Sequence, residues 1–191
     1  IAAFFVEPVL AAGGIVVPPA RYYEQLQLLL KKHDILLVCD EVVTAFGRTG
    51  EMFGSTTMNL QPDLLICAKA LSSAYIPISA LMIGPRVYEA IERQSGELGM
   101  FGLTMTYSGH PVASAVALET LKIYEELNIV EHVRTVGPSL LNGLKKLSGL
   151  YIDPNKFFNS IIRESPFNKS NSDFNSFSSN LLTCENEEEW M

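Results

Sequence analysis

Short apolar runs that end abruptly in a charged residue constrain the fold of this chain more than any other feature. Residues 35–39 form a continuous apolar run followed by Asp40 and Glu41, and residues 64–68 form a second run followed by Lys69. A short apolar run without alternation is typical of a strand buried on both faces, as in a parallel sheet. Each run therefore predicts a buried strand with a charged side chain at its carboxyl end.

Segments with helical periodicity alternate with these strands. Helices are predicted over residues 21–33, 85–93, 111–127 and 128–147. Further strands are predicted over residues 1–6 and 80–83. In the last helix we expect a break near Gly137 and Pro138, because proline lacks the N–H that a helix interior needs. The alternation predicts an α/β fold with a mostly parallel sheet and flanking helices, in which chemistry gathers at the carboxyl ends of the strands.

Composition narrows the class of protein. The chain has 48% hydrophobic and 18% charged residues, which favours a packed core over disorder. Its net charge of −7 argues against nucleic-acid binding, and no apolar run is long enough to predict a membrane span. Three cysteines (Cys39, Cys67 and Cys184) show no CxxC spacing, so we expect neither a disulfide framework nor a zinc site, and a reducing compartment fits best. Cys39 and Cys67 lie inside apolar runs, where we expect buried, inert thiols.

The composition changes near residue 150. Every glycine lies at or before Gly149, whereas residues 151–191 are rich in Asn, Ser and Phe and end in an acidic run. We therefore expect a folded part over residues 1–150 and a poorly ordered, low-complexity tail over 151–191. The first residues, without an initiator Met or a basic stretch, predict that the chain lacks a signal peptide and is entered partway along a strand.

Asp40 and Lys69 leave several chemistries open. The simplest alternative is that each residue forms an ion pair at the edge of the sheet. A charge at the end of a buried strand is costly unless it is paired or serves a function. Asp40 and Glu41 after apolar residues also resemble the Mg²⁺-binding strand of P-loop NTPases, but the GxxxxGK[ST] run which that interpretation requires is absent. Pyridoxal phosphate uses a lysine amine and a carboxylate that keeps its ring nitrogen protonated. This pair of residue types therefore favours a pyridoxal-phosphate site.

Four blocks of sequence resemble the class III (omega-amino acid type) aminotransferases. They are Glu-Pro-Val with Gly-Gly and Pro-Pro within residues 7–19, VCDEVVTAFGRTG at 38–50, DLLICAKALSSAY at 63–75 and TYSGHPVA at 106–113. The blocks occur in the family's order and spacing across residues 1–150. The resemblance implies the large domain of the type I pyridoxal-phosphate (aspartate aminotransferase-like) fold, present in part.

The resemblance also implies roles for individual residues. Lys69 resembles the lysine that forms a Schiff base with pyridoxal 5′-phosphate and shuttles the substrate proton, and Asp40 resembles the carboxylate on the pyridine nitrogen. Val42 matches the branched residue packed on one face of the cofactor ring. Thr106 resembles a hydroxyl that reaches the cofactor phosphate of the partner subunit. Glu7 matches a glutamate near the edge of the cofactor, although a strand-end surface carboxylate is an equal alternative.

The function implied is transfer of an amino group from an amine or amino acid to a 2-oxo acid such as pyruvate, in a homodimer. An aminomutase or a dialkylglycine decarboxylase uses the same lysine and stays open. The family's chain is roughly twice as long, so this sequence is expected to be a central fragment that is inactive alone, or a truncated gene product with an out-of-family tail at 151–191. We expect a cytoplasmic protein, with a mitochondrial location left open by the missing natural amino terminus.

Overall fold

A four-stranded sheet lies at the centre of the fold. The computed structural model describes residues 1–103 and 105–147. Its strands are β1 (Ala3–Val6), β2 (Leu36–Asp40), β3 (Leu64–Cys67) and β4 (Ala80–Ile83), in the order β1-β2-β3-β4. The pairings β1–β2 and β2–β3 are parallel and β3–β4 is antiparallel. The expected α/β fold with a mostly parallel sheet is confirmed.

The register of the sheet aligns the carboxyl ends of its parallel strands. Val6 at the end of β1 pairs with Cys39, and Asp40 at the end of β2 pairs with Ile66. Asp63 fixes the register of β3, since its carboxylate accepts a hydrogen bond from the Leu37 N–H at 2.8 Å. The residues that follow β1, β2 and β3 therefore leave the sheet along one edge.

Five helices accompany the sheet in the described part of the chain. They are α1 (Tyr22–Lys32), α2 (Gly54–Thr57), α3 (Pro85–Leu98), α4 (Pro111–Glu126) and α5 (Ile129–Leu147). Helix α3 is longer than predicted and ends at Gly99, which takes the left-handed φ of 72° that commonly terminates helices.

The expected break in α5 is wrong. Pro138 lies inside one continuous helix. Proline inside a helix loses the N–H that would bond the carbonyl of Arg134, and its ring crowds that carbonyl, but the φ angle it imposes is itself helical. Proline therefore raises the cost of the helix here without ending it.

The core lies where β2 and β3 meet the helices. Leu37 and Leu65 are buried in neighbouring strands and pack in one cluster with Leu30 of α1 and Ala117 of α4. Cys39 and Cys67 belong to the same cluster and are free, buried thiols, as predicted. Cys184 lies outside the described residues. The core thus includes the strands β2 and β3, which end at Asp40 and just before Lys69.

The chain divides into two compact units, with the boundary between residues 140 and 141. The first holds the whole sheet and α1–α4. Of the second, the structure describes only residues 141–147, which complete α5. The tail predicted over 151–191 lies outside the described residues. Within the described part, no helix combines the length and the apolar character needed to cross a membrane.

Candidate active site

Asp40 and Lys69 leave neighbouring strands at the same edge of the sheet. Asp40 is the last residue of β2 and is half-buried. Lys69 begins a 3₁₀ turn (Lys69–Leu71) just after β3, and its side chain is exposed. Because Asp40 pairs with Ile66, both functional groups emerge beyond the carboxyl ends of parallel strands. Active sites of α/β proteins commonly lie at this edge.

Neither charged group is used in an ion pair within the described part of the chain. The Asp40 carboxylate accepts one hydrogen bond, from the N–H of Val42 at 3.0 Å. The ammonium of Lys69 has no hydrogen bond or ion pair to any described residue. The ion pairs at the sheet edge considered from the sequence are therefore not formed there, and both groups keep the capacity to bind another molecule.

The turn that carries Lys69 has an uncommon backbone. Lys69, Ser73 and Ala74 have φ angles of 39°, 48° and 66°, in the left-handed region that L-residues rarely adopt. Ser72 is buried, and its hydroxyl donates a hydrogen bond to the Ile76 carbonyl at 2.6 Å. Strain of this kind costs on the order of 1–3 kcal/mol per residue and persists only where surrounding contacts impose it. The direction in which Lys69 leaves the sheet is thus set by the fold.

Glu41 holds the chain that follows Asp40. Its side chain is fully buried and accepts three hydrogen bonds: from the Thr44 hydroxyl at 2.6 Å, the Gly54 N–H at 2.8 Å and the Ser55 N–H at 2.6 Å. A buried carboxylate requires such partners, and here they close the loop over residues 41–55. Sequence reasoning gave Glu41 no role, although a second acidic residue directly after a buried strand was the available signal.

Gly54 makes this closure possible. A Cβ at this position would lie 2.7 Å from the Thr44 Cβ and 3.1 Å from Oε2 of Glu41. The first distance is shorter than non-bonded carbons tolerate, and both neighbours are buried. Glycine is therefore required for the backbone to approach the carboxylate.

Arg134 of α5 fixes the far end of the same loop. Its guanidinium donates to the Gly50 carbonyl at 2.6 Å, to Glu51 at 2.7 Å and to Glu131 at 3.1 Å. Hydrogen bonds to the Glu131 and Glu51 carboxylates raise the pKa of Arg134 above its usual value. Charged side chains thus hold this loop at two places: Glu41 at residues 54–55 and Arg134 at residues 50–51.

Val42 and Glu7 lie beside this edge of the sheet. Val42 is half-buried two residues beyond Asp40. Glu7 directly follows β1, and one oxygen of its carboxylate accepts a hydrogen bond from the Ala11 N–H at 2.9 Å. The Glu7 carbonyl accepts another from the Tyr23 hydroxyl at 2.6 Å. Glu7 therefore closes its own turn, and its role toward a cofactor stays a prediction.

Within the described residues, Thr106 makes no contact comparable to those of Glu41 or Ser72. It belongs to the exposed segment before α4 and lines an open groove with residues 76–80 and 107–110. No hydrogen bond joins Thr106 to the described residues, Asp40 and Lys69 included. The structure thus groups Asp40, Val42 and Lys69 at one edge of the sheet and gives Thr106 no hydrogen bond to any of them.

The buried thiols of Cys39 and Cys67 are unreactive at neutral pH. Burial, reinforced by the charge of Glu41, raises the pKa of Cys39 from 9.0 to about 12. Burial also raises the pKa of Cys67, although a hydrogen bond with the backbone of Ala80 opposes part of this effect. Both thiols are therefore protonated at neutral pH and do not compete with Lys69 as nucleophiles.

Comparison with known proteins places this chain in a family. Residues 1–156 match the Aminotransferase class-III family. The chain is 54% identical over 149 residues to gamma-aminobutyrate transaminase 1, mitochondrial, of Oryza sativa subsp. indica, covering 78% of this chain and 29% of that protein. It is 55% identical over 148 residues to gamma aminobutyrate transaminase 3, chloroplastic, of Solanum lycopersicum, covering 78% and 28%.

Solved structures agree with these relatives. The omega transaminase of Pseudomonas jessenii in complex with PMP is 52% identical, with a TM-score of 0.74 over 77% of this chain and 32% of that chain. A transaminase solved with L-ala gives the same identity and TM-score over 77% and 35%. The chain thus spans about a third of the length of the proteins it matches. Since the family match covers most of its 191 residues, the chain belongs to the class III aminotransferases.

Proposed function

We propose that the full-length protein containing this chain transfers an amino group from an amine or amino acid to a 2-oxo acid such as pyruvate, with pyridoxal 5′-phosphate as its cofactor. The observation that carries the proposal is the pair of groups at one sheet edge: the Asp40 carboxylate and the Lys69 amine, neither of them in an ion pair within the described residues. Family membership supports the reaction class.

The residues at this edge fit such a cofactor chemically. Lys69 offers a primary amine that other described side chains do not occupy. Asp40 offers a half-buried carboxylate that can pair with a protonated ring nitrogen, and Val42 offers a partly buried apolar surface suited to a ring face. Bound pyridoxal phosphate would supply an electron sink that stabilises negative charge on the substrate carbon.

Each residue then has a defined task. Lys69 would hold the cofactor covalently through Nζ and, once released by the incoming amine, use the same Nζ to take the proton from the substrate carbon. Asp40 would keep a proton on the ring nitrogen through its carboxylate. Val42 would orient the ring and exclude water from one face. Glu7 would lie near the cofactor's edge.

Thr106 suggests that two subunits build each site. It belongs to an exposed segment, and its hydroxyl is without a hydrogen bond to the described residues. A hydroxyl placed in this way suits the phosphate of a cofactor held by a partner subunit. We therefore propose an isologous homodimer, in which the same segment serves both sites.

The relatives indicate which substrates and compartments to test first. Two are named gamma-aminobutyrate transaminases, one mitochondrial and one chloroplastic, and a solved neighbour was obtained with L-ala. We propose γ-aminobutyrate and alanine as the first donors and pyruvate as the first acceptor. The cytoplasmic location predicted from the sequence stays a prediction beside these organellar relatives, and subcellular fractionation tests it.

The proposal is tested by covalent labelling. The full-length protein is incubated with pyridoxal phosphate, reduced with borohydride and digested, and the modified peptide is identified by mass spectrometry. We expect the label on Lys69, together with turnover of the amino donors. Lys69→Ala should lose the label and reduce turnover at least about 10³-fold, because the covalent anchor and the proton carrier disappear together.

Lys122→Ala is the matched control. Lys122 is an exposed lysine of α4 that pairs with Glu119 and Glu126, so its loss should leave labelling and turnover at the level of the unmodified protein. Normal turnover in Lys69→Ala, or a label confined to other lysines, would overturn the proposal.

A further inference from the structure

Tyr124 of α4 joins the two strand ends that carry the candidate site. Its hydroxyl donates a hydrogen bond to the Ala70 carbonyl at 2.7 Å and lies 3.0 Å from the Ser73 hydroxyl. Its ring stacks on Phe46, with centroids 6.0 Å apart and planes 19° from parallel. One half-buried side chain thus contacts both the Lys69 turn and the loop that follows Asp40.

Tyr124 contacts segments whose backbone takes left-handed conformations. Ala70 directly follows Lys69, whose φ is 39°, and Ser73 has a φ of 48°. Phe46 has a φ of 60° on the other side of the site. Left-handed conformations of such residues need outside support. The Tyr124 hydroxyl provides it on the lysine side, and the ring provides it on the aspartate side.

The hydroxyl contributes something that packing alone does not. A phenylalanine could fill the same space against Phe46, whereas only the hydroxyl can donate to the Ala70 carbonyl. That carbonyl also accepts the Ser73 N–H at 3.2 Å, so Tyr124 bonds to the same oxygen that closes the turn. The Ser73 hydroxyl can donate to Tyr124 in return, which completes a chain of hydrogen bonds from Ser73 through Tyr124 to Ala70.

We propose that Tyr124 is a positioning residue that holds Lys69 in its left-handed conformation and thereby sets the direction from which the Nζ amine approaches the cofactor. The proposal rests on the proposed function of Lys69. Tyr124 acts through the backbone of Ala70 and takes no part in the chemistry itself.

Tyr124→Phe tests the proposal, because it removes the hydroxyl and keeps the ring stacked on Phe46. In the full-length protein we expect borohydride-trapped attachment of pyridoxal phosphate to Lys69 to slow about tenfold, and kcat to fall by a similar factor with KM for the amino donor within about twofold. The absorbance band of the bound cofactor should also titrate with pH differently from the unmodified protein. Ser73→Ala should shift the same readouts in the same direction, by less.

Tyr88→Phe on α3 is the control. Its hydroxyl contacts Glu92 at 3.3 Å on an exposed helix surface, so attachment rate and spectrum should stay unchanged. If Tyr124→Phe lowers the melting temperature but leaves the attachment rate, the kcat and the spectrum at their original values, Tyr124 only packs, and the proposal is overturned.

Hydrogen exchange separates this proposal from the proposed function. In protein without cofactor, Tyr124→Phe should speed amide exchange over residues 70–75 while the rest of β3 keeps its protection. Should the protein fail to take up pyridoxal phosphate at all, the proposed function fails, and faster exchange in this turn still supports the positioning role. Unchanged exchange in that case overturns it.

Discussion

The edge that carries Asp40 and Lys69 and the segment that carries Thr106 are built in opposite ways. At the edge, buried groups such as Glu41 and Ser72 fix the loops through hydrogen bonds within the chain. The described residues of 98–107 instead expose large apolar side chains, at Leu98, Met100, Phe101, Leu103, Met105 and Tyr107.

The contrast separates two kinds of positioning. The strand edge is organised by hydrogen bonds between residues of this chain, so its geometry is already set within the described residues. A cluster of exposed apolar side chains is typical of a surface that another surface covers. In the full-length protein that covering surface belongs either to the rest of the same chain or to a partner subunit, and the proposed role of Thr106 assigns it to the partner.

Asp40→Asn should have the largest effect. The asparagine can still accept the Val42 N–H hydrogen bond, so the loop should keep its shape while the negative charge is lost. We expect the label on Lys69 to persist and the turnover rate to fall by several orders of magnitude, on the scale of about 3–5 kcal/mol for breaking a buried charge pair.

Asp34→Asn is the control for that experiment. Its side chain is 88% exposed and pairs with Arg86 at the protein surface, so turnover should be unaffected. Near-normal turnover in Asp40→Asn would mean that this carboxylate has a structural role only.

Glu41→Gln should have the largest effect on stability. The amide keeps one acceptor oxygen but sets its NH₂ group against one of the two backbone N–H donors, Gly54 or Ser55, in a side chain with no solvent exposure. We expect the free energy of unfolding to fall by about 2–4 kcal/mol, measured by urea denaturation. Glu51→Gln, which loses an exposed pair with Arg134, should cost less than about 1 kcal/mol. An equal loss of unfolding free energy in the two variants would show that the buried hydrogen bonds of Glu41 do not stabilise the strand edge more than an exposed ion pair does.

The sequence predicted the parts of the site that depend on hydrophobic pattern. The strands before Asp40 and Lys69 were found within one residue because buried parallel strands read as continuous apolar runs. The role of Glu41 was missed because its donors, Thr44, Gly54 and Ser55, are identified only once the loop is closed. The hydrophobic pattern predicts where a strand ends. The hydrogen-bond partners of a side chain such as Glu41 depend on tertiary folding, which the pattern does not describe.

The other omissions have the same origin. Tyr124 lies more than fifty residues from the turn that it contacts, and no local signal marks that pairing. The left-handed φ of Lys69 is imposed by surrounding contacts, so residue type alone does not predict it. The continuity of α5 through Pro138 was missed because proline raises the cost of a helix without forbidding it.

Alkaline pH should weaken the strand edge by a predictable amount. Burial raises the pKa of Cys39 from 9.0 to about 12, and that of Tyr23 from 10.0 to about 12. Above pH 9 the unfolded chain loses the thiol proton while the folded protein retains it. Stability that is complete below pH 9 is therefore lost as the pH rises toward 12, by up to about 1.4 kcal/mol per pH unit for this thiol.

Urea unfolding at pH 8, 9 and 10 measures this loss. Cys39→Ala should begin less stable, because it leaves a small cavity, but should lose less stability between pH 9 and pH 10 than the unmodified protein. The same pH dependence in both proteins would show that the buried thiol does not control alkaline stability.

Thr106→Val should have the smallest effect on stability. It tests directly whether Thr106 serves a partner subunit while Asp40 and Lys69 serve their own. The hydroxyl is exposed and unbonded within the described residues, and valine keeps the branched shape, so the free energy of unfolding should change by less than about 0.5 kcal/mol. If the hydroxyl binds a phosphate across a dimer interface, the affinity for pyridoxal phosphate should nevertheless fall by about tenfold or more, the scale of one hydrogen bond to a charged group. Thr106→Ser retains the hydroxyl and should restore the affinity.

Mixing Thr106→Val subunits with Lys69→Ala subunits assigns the hydroxyl to a subunit. In such a mixed dimer, the subunit that carries the Thr106→Val substitution keeps its own Lys69, and that lysine faces the intact Thr106 of the other subunit. Because this site then has both groups, it should bind pyridoxal phosphate with normal affinity. Weak binding in the mixed dimer would place Thr106 and Lys69 in the same subunit and contradict the division between the two regions.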